Sequence, residues 1–123
     1  GDIPHITDDD CIEVCDMIVE EKKYQCLLKI LMDNRMSFSR VALFKKYAHY
    51  MSEEDQAIYT KHVIDDLRKH LSYAKSKSYG YIVDDIKGMY TCCEVSKKLI
   101  LDFVEEVEYN YGNRPALMRL LRN

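Results

Sequence analysis

Val95, Leu99, Phe103, Val107 and Tyr111 recur every fourth residue, with Ile100 and Val104 widening the row. Set among Lys, Asp and Glu, such a stripe is the core-facing side of an amphipathic α-helix. Gly112 then stands where a left-handed C-cap belongs, and Pro115 fits the first turn of a short last helix over residues 116–121. Four glycines and two prolines in 123 residues leave few obligatory turns, while Leu, Glu, Lys, Met and Ile are plentiful. An all-α fold is expected, a compact bundle of about six helices rather than a many-stranded sheet. The length suits one domain, residues 1–123, with a real core. Because the chain opens on Gly1 and not Met, it is expected to be a fragment of a larger protein.

Upstream, the helix starts are written in caps. Thr7 precedes Asp8, Asp9 and Asp10, so a hydroxyl can take a free amide while the acids face the positive end of the helix dipole. Apolar residues follow at Ile12, Cys15, Ile18 and Val19, then at Leu27, Leu28, Leu31 and Met32, with the charged stretch 20–23 between them. The spacing predicts one long helix, or two joined by a kink, over residues 8–33. Ser37 can cap a second helix carrying Val41, Leu43, Phe44 and Tyr47. Ser52 and Asp55 have capping-box spacing, and Met51 can staple forward onto a third helix that contains Ile58, Tyr59, His62 and Val63 and reaches Leu67 and Leu71. The polar stretch 72–80 reads as a flexible connection, and Tyr81, Ile82, Asp85, Ile86 and Met89 as a fourth helix ending near Tyr90.

Charge is distributed unevenly. The net charge is only −3, which argues against direct nucleic-acid binding by bulk electrostatics. Residues 1–21 nevertheless hold eight acids and no Lys or Arg, and residues 22–50 hold seven bases against the single acid Asp33. Such blocks are usually a solvated surface. They can also be complementary patches for another protein, or for a second copy of a similar domain. No apolar run approaches the length of a membrane span, and the acidic start is not a signal peptide. Five cysteines, Cys11, Cys15, Cys26, Cys92 and Cys93, are odd in number and lack framework spacing. Reduced thiols fit that pattern, and with them an intracellular, cytoplasmic or nuclear setting.

Little in the sequence points to chemistry. Cys11 and Cys15 share a helix face, but the paired Cys and His spacings of a zinc site are missing, so they are expected to be buried thiols and no metal or cofactor is expected. The tandem acids Asp65 and Asp66, Asp84 and Asp85, and Glu105 and Glu106 diverge by about 100° on a helix and are read as solvated. There is no phosphate-cradling glycine loop, and no motif recommends any cysteine as a nucleophile, so no catalytic residue is assigned. Ten tyrosines leave one further option. Tyr47, Tyr50 and Tyr59 near Lys45, Lys46 and Lys61 could stack bases beside phosphate contacts, although tyrosine is equally at home at core edges and protein interfaces.

The run LLKILMDNRMSFSRVALFKKYAHYMSEEDQAIY, from Leu27, resembles the first three helices of a caspase-recruitment domain (CARD), a branch of the death fold. IVDDIKGMY and KKLILDFVEEVEYNYGNRPALMRLL are similar to its closing helices. The resemblance spans roughly residues 24–123 and is nearest to CARDs of double-stranded-RNA-sensing and Dicer-related RNA helicases. It departs from the pattern in the long acidic first segment and in residues 63–77. It implies a non-catalytic recruitment module for antiviral signalling or RNA silencing, working through charged faces. Candidate partner-binding residues are Asp8, Asp9, Asp10 and Glu13 on the acidic side, and Arg40, Lys45 and Lys46 on the basic side. A second reading is also open. The composition, rich in Tyr, Ile and Asp and with a seventh helix possible, suits the small helical bundles, related to apoptosis regulators, with which large DNA viruses block host signalling by binding an amphipathic helix in a groove.

Overall fold

The computed structural model describes residues 7–33 and 40–123, and these form seven α-helices and no strand. Helix α1 (Asp8–Glu20) starts where the capping signal places it, with Thr7 Oγ1 accepting the Asp10 amide at 3.1 Å. It ends in a turn at Lys22, whose φ of 57° lies in the left-handed region. The Glu21, Lys22 and Lys23 amides bond back to the carbonyls of Met17, Val19 and Ile18. A 3-10 turn (Tyr24–Cys26) then leads into α2 (Leu27–Leu31). The segment 8–33 is therefore two helices, and the break falls within the charged stretch that separates the two apolar stripes. Ser37, the expected cap of the next helix, lies outside the described residues.

Helix α3 (Val41–Tyr47) and a 3-10 turn (Ala48–Tyr50) precede α4 (Glu53–Tyr73), a 21-residue helix. Ser52 Oγ accepts the Asp55 amide at 3.1 Å, as the sequence predicts. Buried positions on α4 are Gln56, Tyr59, Thr60, Val63, Ile64, Leu67 and Leu71, whereas Ile58 faces outward. The expected loop at 72–80 is mostly helical. Only Ala74 and Lys75 lie between the end of α4 and a 3-10 turn (Ser76–Ser78), and buried Tyr79 opens α5 (Tyr79–Tyr90). Arg114 explains part of this order, since its Nη1 donates to the Leu71 carbonyl (3.3 Å) and the Tyr79 hydroxyl (3.2 Å).

The strongest stripe becomes α6 (Glu94–Tyr111), but the buried line is Ser96, Ile100, Phe103 and Val107. Steps of four advance 400° and so drift about 40° each time around the helix. The five-residue row therefore slides off the core at both ends, and Val95, Leu99 and Tyr111 are only half-buried. Gly112 is right-handed (φ −60°, ψ −20°) and not the expected left-handed cap. The turn closes instead through the Arg114 amide on the Tyr111 carbonyl, and α7 (Pro115–Arg122) follows with proline in its first turn.

Helix α5 packs against α3, α4, α6 and α7, and the α4–α6 contact completes the C-terminal half. Gly88 permits the α3 approach, because a Cβ there would come within 2.8 Å of Val41 Cγ1. Thr60 Oγ1 and Ser96 Oγ, 2.6 Å apart, satisfy each other where α4 meets α6. At the other end, α1 packs on α2 and α3. There the Tyr47 hydroxyl donates to Asp16 Oδ1 at 2.5 Å, and the Ile12 carbonyl lies 3.3 Å away. Among the described residues, no helix is long and apolar enough to cross a membrane.

Candidate protein-binding surface

The inward side of α1 is set by Cys11 and Cys15, both fully buried, with Ile12, Ile18 and Val19 half-buried beside them. Burial, then the neighbouring Cys11 and Asp16, push the Cys15 thiol up to about 11, so it behaves as a small apolar group with its proton retained. At 100° per residue, Asp10, Glu13, Met17 and Glu20 fall within roughly 80° of one another on the opposite side. Asp9, Asp10, Glu13, Val14, Asp16, Met17, Glu20 and Glu21 are all exposed. Met17 is 60 % exposed near the middle of this face, and Val14, at 41 %, flanks it.

Two electrostatic features mark this face, and α6 shares both, since Asp102, Glu105 and Glu108 also form no ion pair among the described residues and no base stands in its last turn. Among the described residues, no Lys or Arg forms an ion pair with Asp9, Asp10, Glu13 or Glu20. Glu20 also ends the helix, with Glu21 as its C-cap and no base in the last turn, so these acids meet the negative end of the helix dipole. Asp9 and Asp10 at the amino end are ordinary stabilising acids, whereas Glu20 and Glu21 oppose helix stability. Of the acidic residues singled out in the sequence, Asp9, Asp10 and Glu13 are on the surface together. Asp8 is in the helix, and its side chain lies outside the described part. Met17 and Val14 were not legible as site residues, since the only signal for them was their absence from the buried stripe.

The expected basic face does not form as a unit. Lys45 and Lys46 are exposed on α3, but Arg40 is only 5 % exposed. It lies near the Tyr59 hydroxyl, which accepts the Arg40 amide at 3.2 Å and also feels the charge of Asp85. The reason is periodicity: positions 40, 43, 44 and 47 share one helical face, so Arg40 continues the buried row of Leu43, Phe44 and Tyr47. Nor is there a tyrosine platform for bases. Tyr59 packs on Phe44 in the core (centroids 4.5 Å apart) and Tyr47 is buried, while Tyr50 stacks on Tyr24 at 5.5 Å.

Between α4 and α6, one charged cluster is answered within the chain. Arg68 on α4 reaches Glu106 on α6 (2.8 and 3.0 Å) and Asp65 (2.6 Å), over the ring of Phe103. Hydrogen bonding to Arg68 holds the Glu106 carboxyl below its ordinary value. This bridge spans a shallow surface cavity of about 190 Å³ whose lining includes Ile64 and Leu99. Among the described residues, no three His, Cys, Asp or Glu side chains come together as metal ligands would. Compared with protein-family models, curated proteins and solved structures, the chain matches none.

Proposed function

We propose that this chain is a non-catalytic protein–protein interaction module that engages its partner with the outward face of α1. One observation carries the reading. That face keeps an exposed methionine among acids that form no ion pair among the described residues, with Glu20 and Glu21 at the unfavourable end of the helix dipole. Folding gains nothing from exposed Met17 or from Glu20 and Glu21 at that end, whereas a partner that brings bases and an apolar side chain would satisfy them. The basic surface of Lys45 and Lys46 is a lesser contact without Arg40.

The CARD-like setting, as a recruitment domain of a double-stranded-RNA-sensing or RNA-silencing helicase, draws support from these charged faces. The viral setting, a bundle that blocks host apoptotic or immune signalling and binds an amphipathic helix in a groove, draws support from the seven α-helices of the described residues. The α1 face serves either setting.

The test is quantitative affinity capture from infected and uninfected cells, comparing wild type with Glu13→Lys/Glu20→Lys. Partners of this face should fall away in the variant, and wild-type capture should weaken with added salt as screening grows. Equal retention of every partner by both proteins would remove α1 as the binding face.

A further inference from the structure

The opposite charge gathers around α7. Residues 109–123 contain Arg114, Arg119 and Arg122 and no acid. Arg114 is committed to the structure: besides its bonds to Leu71 and Tyr79, its guanidinium lies 4.5 Å from the Tyr111 ring centroid. That anchoring fixes the turn at Gly112 and Asn113 against α7. Between them opens a surface cavity of about 460 Å³, lined by Gly112, Asn113, Pro115, Met118, Arg119 and Arg122.

Pro115, Met118, Arg119 and Arg122 are spaced i, i+3, i+4 and i+7, so a single face of α7 makes one wall over roughly two helical turns, about 10 Å. Met118 is 4 % exposed and gives an apolar floor. Arg119 and Arg122 are exposed, and among the described residues neither has an ion-pair partner. As last-turn bases they suit the helix dipole, which accounts for their charge but not for a cavity between them and a pinned turn.

We infer that this cavity is a second docking site, independent of the α1 face, for an acidic peptide segment of a partner protein. An apolar side chain of that segment sits on Met118, and flanking carboxylates take the two guanidiniums. The geometry favours a peptide over a free anion because the recognition elements are strung along the helix and an apolar floor lies beside the cations. Guanidinium forks bind planar carboxylates with two parallel hydrogen bonds, a geometry that lysine would not give. With α1 packed on α2 and α3, and α7 on α5 and α6, the two sites lie on different parts of the bundle and would let one copy bridge a basic and an acidic partner.

The probe is a fluorescein-labelled hexapeptide of Asp and Glu around one central leucine, titrated with the whole chain and followed by anisotropy. Wild type should bind it, and Arg119→Ala/Arg122→Ala should weaken binding at least about tenfold, the loss expected when two charge-assisted contacts go. Lys29→Ala/Lys98→Ala removes the same charge from exposed positions outside both sites and should leave binding within about twofold. The Asn/Gln version of the peptide should not bind. No binding by wild type at millimolar peptide, equal weakening by the two double variants, or displacement by inorganic phosphate as effective as by unlabelled peptide would each overturn the proposal. Matching circular dichroism and thermal unfolding of the variants exclude misfolding as the cause of a loss.

Discussion

Helices α1 and α6 carry the same kind of sequence, an apolar side and an acid-rich side, yet they are used differently. On α6, Lys97 and Lys98 lie among the acids in sequence, and Glu106 is answered by Arg68 from α4 over the Phe103 ring, while Asp102, Glu105 and Glu108 form no ion pair among the described residues. On α1 no base is interleaved, and the main polar tie to the bundle is Asp16 to Tyr47. An acid that is answered within the chain belongs to stability. An acid left unanswered beside exposed Met17 is free for something outside the chain. The contrast teaches that amphipathicity alone does not separate a structural helix from an interacting one; the partners of its polar side do.

The largest expected effect tests the apolar half of this contrast. Phe103→Ala on α6 should lower the unfolding free energy by about 3–5 kcal/mol, whereas Met17→Ala should change it by no more than about 0.5 kcal/mol, both read from urea denaturation midpoints. A comparable loss at Met17 would make α1 as structural as α6.

Alkaline pH comes next. Burial raises the Cys15 and Cys92 thiols from 9.0 to about 11. The unfolded chain releases these protons first, so above pH 9 it binds fewer protons than the folded chain. Stability should be intact below pH 9 and fall as pH rises toward 11. Denaturation midpoints across that window should decline, and Cys15→Ala should decline less steeply. An equal slope in the variant would take Cys15 out of the explanation.

A smaller effect concerns the tether. Tyr47→Phe removes the hydroxyl held by Asp16 and should lose about 1–2 kcal/mol, with much of that absent when Asp16→Asn is already in place. Additive losses in the double-mutant cycle would mean that the two side chains act separately.

What could be read beforehand follows from where the physics is local. The caps at Thr7 and Ser52, proline in the first turn of α7 and the helical nature of residues 95–111 are dictated by neighbours in sequence, and the structure has each of them. Of the two readings open for residues 8–33, the break within the charged stretch is the one found; Lys22 takes its left-handed φ without being glycine or asparagine, so no residue type marked the turn itself. The misreadings were decided by tertiary contacts. Residues 72–80 looked like loop because of their serines and lysines, but Arg114, over thirty positions away in sequence, ties Leu71 to Tyr79. Arg40 counted as surface by its charge, although its place in the 40, 43, 44, 47 row put it inside. The α1 site was half legible, through its acids. The other half, exposed Met17, needed the packing to be known.

The most direct measurement is the unfolding free energy of Glu13→Lys/Glu20→Lys, read from urea denaturation beside wild type. If the α1 acids serve a partner, reversing them relieves repulsion and puts a base at the negative helix end, so the variant should be as stable as wild type or more stable by a few tenths of a kcal/mol. A loss above about 1 kcal/mol would show that these acids hold the fold together, and the outward face of α1 would no longer stand as a binding surface.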